Sequence, residues 1–279
     1  MRLVTFEDNG APRVGVQVDG GVAATEYTCM AAFIRDGERA LEQLHSAASS
    51  GAVIHGSRLL APLRRPGKML FCGVNYAGHA EENPDAVLPA EPFFFSKFSS
   101  AIVGPGEPIV VPSQDTHTDY EVELAAVIGR TATRVSRENA LSHVFGYTVV
   151  NDVSARDVQF KDMQITLGKN PDSFCPMGPH LVTADELGDP RGLHVETRVN
   201  GATVQADTTD SWLFGLDELI EFVTRTITLE PGDIITTGTP AGIAAFREGQ
   251  PWLRPGDEVT VEVREIGALT NPVVAGWEG

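Results

Sequence analysis

A mainly β catalytic domain with helical additions, preceded by a small α+β domain, is the fold class that the sequence predicts. Three observations predict it. Apolar runs are short, many alternate with period two, and turn residues such as Asn-Gly, Asp-Gly and Pro-Gly-Asp bound them. Helical periodicity is confined to a few stretches. A break at "LLAPLRRPGK", with two prolines, a basic pair and a glycine, separates residues 1–65 from residues 66–279.

The elements follow in order. "RLVTFEDNGAPRVGVQVDGGVA" reads as a small β meander turned by Asn-Gly and Asp-Gly, and "MAAFIRDGERALEQLHSAASSG" as a helix leaving on Ser and Gly. After the break, "KMLFCGVNY" is a buried strand and "PFFFSKFSSAIVGPGEPIVVP" holds strands separated by turns. "DYEVELAAVIG" is a longer strand. "SRENALSHVFGY" offers Ser136 as a helix cap, with Leu141, Val144 and Phe145 at helical spacing, and "YTVVNDVSARD" returns to β structure. In "LFGLDELIEFVTRTITL" the stripe Leu216, Leu219, Ile220 and Val223 is a core-facing helix side. "PGDIITTGTPAGI" and "RPGDEVTVEVREIGAL" are strands opened by Pro-Gly-Asp turns.

Charge narrows the partners. With 21 basic and 38 acidic residues the formal charge is −17, a field that repels nucleic acid and leaves small molecules as the expected partners. Cys29, Cys72 and Cys175 are an odd set without paired spacing, so neither a disulfide framework nor a zinc knuckle is indicated; they read as small buried hydrophobes in a reducing cytosol. No signal peptide and no membrane-spanning run is evident, so a cytoplasmic location is expected.

The chemistry starts from "DYEVEL". On a strand, Asp119, Glu121 and Glu123 share one face, which either meets water or holds a cation. Two Glu at i and i+2 suit Mg²⁺, Mn²⁺ or Ca²⁺, hard ions that take oxygen ligands. Asp152 ends the apolar run "YTVVND", where an isolated carboxylate is costly to bury unless paired or metal-bound, which makes it the best candidate for a third ligand. In "NYAGHAEE" His79 and Glu82 share a face of one helical turn. A carboxylate there would orient the imidazole and raise its basicity, although a surface helix turn has the same pattern. Arg156, Gln159 and Lys169 follow Asp152; Arg156 is one helical turn from it, and a Lys in a polar site can hold developing enolate charge, whereas Lys161 reads as a surface ion-pairing residue. In "TTGTPAGI" Thr239 and the glycines fit either a structural turn or an anion cradle. A serine-hydrolase elbow, a P-loop and a dinucleotide fingerprint are all missing.

Taken in order, "GVNYAGHAEE", "DYEVELAAVIG", "GYTVVNDVSARDVQ", "GKNPDSFCPMGP", "VNGATVQ", "LEPGDIITTGTPAGI" and "LRPGDEVTVEVREIGALTN" resemble the fumarylacetoacetate hydrolase family, in particular its acylpyruvate hydrolase and 2-hydroxyhepta-2,4-diene-1,7-dioate isomerase branch, from about residue 66 to the C-terminus. The resemblance implies a mixed β-sandwich roll, a homodimer and Mg²⁺ or Mn²⁺, with Ca²⁺ able to substitute in a crystal. It implies Glu121, Glu123 and Asp152 as metal ligands, His79 and Glu82 as the water-activating pair on a lid, Arg156, Gln159 and Thr239 as substrate-binding residues, and Lys169 as a charge-stabilising catalytic residue. Two departures stand out: "GKNPD" replaces the commoner Gly-Lys-Ser-Phe-Asp, and the founding enzyme's extra upstream Asp ligand has no counterpart. The implied activity is metal-dependent carbon–carbon hydrolysis of a β-diketo acid, such as an acylpyruvate or fumarylpyruvate, to pyruvate and a carboxylic acid. A decarboxylase of oxaloacetate-type acids and a hydroxymuconate-type isomerase share the same enolate chemistry, and a metal-dependent binding protein without turnover is the non-enzymatic alternative. Residues 83–91, "NPDAVLPAE", are expected to flank the lid.

Overall fold

The computed structural model describes residues 1–82, 88–113, 116–161 and 164–276. Most of the expected lid flank, residues 83–87, lies outside the described residues. The architecture is mainly strands with a few helices. A large mixed sheet runs through Gly21–Ala24, Ala11–Val18, Arg2–Asp8, Cys175–Thr183, Val144–Asn151, Val122–Ile128, Ile234–Thr236, Met69–Gly73 and Phe93–Ser96. The N-terminal meander joins this sheet through Arg2–Asp8, which pairs antiparallel with Cys175–Thr183. A second sheet, ordered Ala202–Thr208, His194–Val199, Glu258–Val263, Gly267–Ala275 and Ile109–Val111, packs against the first.

The Val122–Ile128 strand explains the layering. All seven of its residues are buried, because both faces of the sheet are covered. Val122, Leu124, Ala126 and Ile128 meet Val195, Val261, Val263 and Leu269 of the second sheet in one core. On the other face Ala125 and Val127 share a core with Leu3, Phe33 and Leu44, brought by the N-terminal strands and helices. Glu121 and Glu123 have the parity of Ala125 and Val127, so they continue that face past the end of its apolar cover.

The helix Leu216–Thr224 buries Leu216, Leu219, Ile220 and Val223, as its stripe requires. Elsewhere local structure departs from the periodicity. The long N-terminal helix is two, Met30–Asp36 and Glu38–Ser49, divided at Gly37, whose φ of 55° and ψ of −121° suit a residue without a Cβ. Ser136 occupies the N-cap position of Arg137–Ala140 without a side-chain cap bond, and that helix gives way to a 3₁₀ turn at Leu141–His143. Val144 and Phe145 open the strand Val144–Asn151, because pairing with Val122–Ile128 and the packing of Phe145 on Phe33 outweigh a weak helical pattern. "DYEVELAAVIG" is also interrupted: Thr118–Asp119 pairs with Ser154–Ala155, and the longer strand begins only at Val122.

Candidate metal and enolising site

Strand register assembles the acidic cluster. Val122 pairs with Asn151, which sets Glu121 opposite Asp152, and the Asp152 N–H donates to the Glu121 carbonyl at 2.8 Å. Glu121, Glu123 and Asp152 therefore converge, each offering a carboxylate oxygen within 4.8 Å of the others, and all three are buried.

Three cations surround them. Lys169 bridges Glu121 Oε2 at 2.8 Å and Asp152 Oδ2 at 2.6 Å. Arg156 donates to Glu121 Oε1 through Nη2, to Gln159 Oε1 through Nη1 at 2.9 Å and to Asp119 Oδ2 through Nε at 3.0 Å. The third is Lys97, to which the sequence reading gave no role. Its Nζ donates to Asp152 Oδ1 at 2.6 Å and to the Val153 carbonyl at 3.0 Å, and both charged side chains are fully buried. Its signal in the sequence was a lone lysine inside "FFFSKF", where an unpaired charge would be intolerable.

Burial alone would raise Glu121, but the charges of Lys169 and Arg156 outweigh it and hold that carboxyl well below the usual range. Glu123 goes the other way. Burial, then repulsion from Asp152 and Glu121, pushes it well above the usual range. The buried cluster thus has four carboxylates, counting Asp119, against three cations, and Glu123 is the one left without a cationic hydrogen-bond partner among the described residues; it accepts the Gly238 N–H at 3.1 Å. A divalent cation would give Glu123 the positive partner it lacks. Three hard oxygen donors fit Mg²⁺ or Mn²⁺, the cofactor for this site.

The remaining expected residues except Glu82 border the same cavity of about 210 Å³, below the roughly 300–1,000 Å³ typical of sites for drug-sized ligands. His79, Glu121, Glu123, Arg156, Gln159, Lys169 and Thr239 line it. His79 lies on the short helix Ala77–Glu82, and its Nδ1 is 3.0 Å from Glu82 Oε2. The second Glu82 oxygen accepts the Gly242 N–H at 2.6 Å, so one carboxylate orients the imidazole and fixes its helix to the loop after Thr239. Thr239 Oγ1 accepts Gln205 Nε2 at 2.9 Å and keeps its own hydrogen for a ligand. With its oxygen taken by Arg156, Gln159 offers a ligand N–H donors. Lys161 is exposed, away from this set.

Three details correct or extend the sequence reading. Asp119 is buried but turns away from the triad toward Arg156 and the Ala244–Ala245 backbone. Asn170, in the departing "GKNPD", accepts the Phe98 N–H and donates to the Ser96 and Thr166 carbonyls, tying the Lys169 helix to the strand that precedes Lys97. Cys72 and Cys175 are buried, and burial pushes both thiols up, Cys175 to about 12; Cys29, by contrast, is exposed. No described helix is long and apolar enough to cross a membrane.

Comparison with known proteins decides the family. The model of the fumarylacetoacetate (FAA) hydrolase C-terminal domain matches residues 68–274. The chain belongs to the fumarylacetoacetate hydrolase family. It is 43% identical over 289 residues to a Xenopus laevis protein named oxaloacetate tautomerase fahd2, mitochondrial, covering 98% of this chain and 90% of that one. Among solved structures it resembles a fumarylacetoacetate hydrolase from Exiguobacterium antarcticum, with a TM-score of 0.84 and 37% identity over 99% of both chains. A maleylpyruvate hydrolase from Sphingobium sp. SYK-6, in complex with manganese(II) and pyruvate, gives a TM-score of 0.84 at 30% identity over 99% of this chain and 100% of that one.

Proposed function

We propose that this protein is a metal-dependent enzyme that interconverts the enol and keto forms of a small 2-oxo acid of the oxaloacetate type. The observation that carries the reading is His79, held by Glu82, on the same small cavity as Lys169 and two carboxylates of the triad, Glu121 and Glu123. The bound Mg²⁺ or Mn²⁺ would act as a Lewis acid for the substrate's carboxylate and 2-oxo oxygens. Glu121, Glu123 and Asp152 would hold it. His79, with Nδ1 committed to Glu82, has Nε2 left to take a proton from C3 in one direction and return it in the other. Lys169 has two N–H bonds to Glu121 and Asp152 and a third for the charge on the C2 oxygen, the atom that gives its proton to water in the enol-to-keto direction and regains one in the reverse. Gln159 and Thr239 supply the remaining polar contacts, while Arg156, with three of its donors engaged, chiefly positions Glu121 and Gln159.

The choice of enol–keto conversion over bond cleavage is supported by the near full-length similarity to a protein named as an oxaloacetate tautomerase. Hydrolysis of an acylpyruvate, the activity first expected from the sequence, is the second reading. It is favoured by the apolar side of the cavity, where Phe93, Phe160 and Phe246 would suit an acyl chain, and by the likeness to a maleylpyruvate hydrolase. One assay separates the two. Enolic oxaloacetate and a panel of acylpyruvates are followed by enol absorbance while pyruvate is measured in the same samples. Metal-dependent loss of enol from oxaloacetate ahead of any pyruvate supports the tautomerase. Pyruvate with a matching acid from acylpyruvates, and no acceleration of oxaloacetate, replaces it with the hydrolase; stoichiometric pyruvate from oxaloacetate replaces it with the decarboxylase. The working unit is taken to be a homodimer, which equilibrium sedimentation checks.

A further inference from the structure

Asp119, the first carboxylate of "DYEVEL", has an unusual set of partners. It is fully buried, and its two oxygens accept four N–H donors: Tyr120 at 2.8 Å and Ala244 at 2.7 Å on Oδ1, Ala245 at 3.1 Å and Arg156 Nε at 3.0 Å on Oδ2. Ala244 and Ala245 begin the 3₁₀ turn Ala244–Phe246, which ends the loop that follows Thr239. That loop is the seat of the His79 helix. Its Gly242 N–H holds Glu82, and its Phe246 ring lies 6.0 Å from the His79 ring. At its start Gln205 donates to Thr239 Oγ1 and the Pro240 carbonyl; between the two anchors Tyr120 Oη donates to the Gly242 carbonyl at 3.2 Å.

We propose that Asp119 is a positioning residue for the base: it holds the Gly242–Phe246 loop where Glu82 docks, and through Glu82 it presents His79 to the cavity. The inference rests on reading His79 as the proton-transfer group. A carboxylate suits this task because charge-assisted bonds to consecutive backbone N–H groups are short and directional. The same carboxylate ties the loop to Arg156 and hence to Glu121, so the seat of the base and the metal ligands share one rigid connection. Metal binding itself does not need Asp119, since the triad is held by Lys97, Lys169 and the strand register.

The test is Asp119→Asn, which keeps the shape and one oxygen acceptor while removing the charge. Three quantities are measured on the full chain: Mn²⁺ affinity, hydrogen exchange of residues 77–82, and the rate of enol–keto conversion of oxaloacetate. Expected are Mn²⁺ affinity within about threefold of the parent, faster exchange across 77–82, and a roughly 10–100-fold lower kcat, the size seen when groups supporting a site are removed. Combined with Glu82→Gln, the loss should be no greater than for Glu82→Gln alone, because both act through one contact. Multiplicative losses, or a fall in Mn²⁺ affinity matching the fall in kcat, would overturn the proposal. If Asp119→Asn does not fold, Ala244→Pro removes only the 2.7 Å loop donor. Proline fits the first position of such a turn, and the preceding Ile243 is already extended at φ −61° and ψ 149°. Unchanged exchange at 77–82 in Ala244→Pro would equally overturn it. A parent protein inactive on oxaloacetate would refute the proposed activity, yet the exchange and Mn²⁺ measurements would still decide the role of Asp119.

Discussion

Replacing Lys97 by methionine removes a cation from a place that water does not reach. The methionine fills most of the volume of the lysine stem, so the loss is mainly electrostatic. Asp152 Oδ1 loses a 2.6 Å ion pair and the Val153 carbonyl a 3.0 Å donor, in surroundings where neither Lys97 nor Asp152 has any exposed side-chain surface. Breaking a buried pair from one side costs about 3–5 kcal/mol, because the other charge stays behind. Lys169 still holds Asp152 Oδ2, which favours the lower half of that range. At roughly 2 °C per kcal/mol for a chain of this size, Tm should fall by about 6–8 °C. Scanning calorimetry in the presence of a chelator measures it. Added Mn²⁺ should raise the Tm of the variant by more than that of the parent, since the ion meets a carboxylate no longer neutralised by Lys97. A variant within about 2 °C of the parent in chelator would refute the claim that Lys97 compensates the cluster's charge.

Three further outcomes follow from the site. Because burial, then Asp152 and Glu121, hold the Glu123 carboxyl well above the usual range, protons compete with a divalent ion for it at higher pH than for an ordinary carboxylate. Mn²⁺ binding should release protons increasingly as pH is lowered, seen as a dependence of the titration heat on the buffer's ionisation enthalpy, and apparent affinity should weaken as pH falls; heats independent of the buffer at every pH would contradict this. Glu123→Gln should abolish that proton release and weaken Mn²⁺ binding by about 100-fold or more, read in the same titration. Gly242→Ala would force a Cβ to 2.1 Å from the Val204 carbonyl at a φ of 106°, so denaturant unfolding should show a loss of about 3 kcal/mol, with turnover falling while Mn²⁺ affinity is kept.

The metal ligands were legible because alternation is local: Glu121 and Glu123 share a face of the chain, and Asp152 terminates the strand next to it. His79 and Glu82 were legible for the same reason, three residues apart on one short helix. Lys97 and Asp119 were not, because their partners stand 55 and 37 residues away and are chosen by sheet register and loop packing. An unbroken strand would put Asp119 on the ligand face, and the interruption at Tyr120–Glu121 turns it toward Arg156 instead. Val144 and Phe145 show the complementary limit. Their spacing fits a helix, but the chain gains more by burying them in a sheet whose partners lie far away in sequence.

The central claim is that this site moves a proton at C3 of a 2-oxo acid, using His79 and a divalent ion. Proton NMR of pyruvate in D₂O tests it most directly, since exchange of the methyl hydrogens reports enolisation whatever bond is broken afterwards. The account expects methyl exchange with the Mg²⁺-loaded protein, lost on chelation and reduced by about 10²–10⁴-fold in His79→Ala. No exchange above the buffer rate, or exchange indifferent to chelator and to His79, would contradict it.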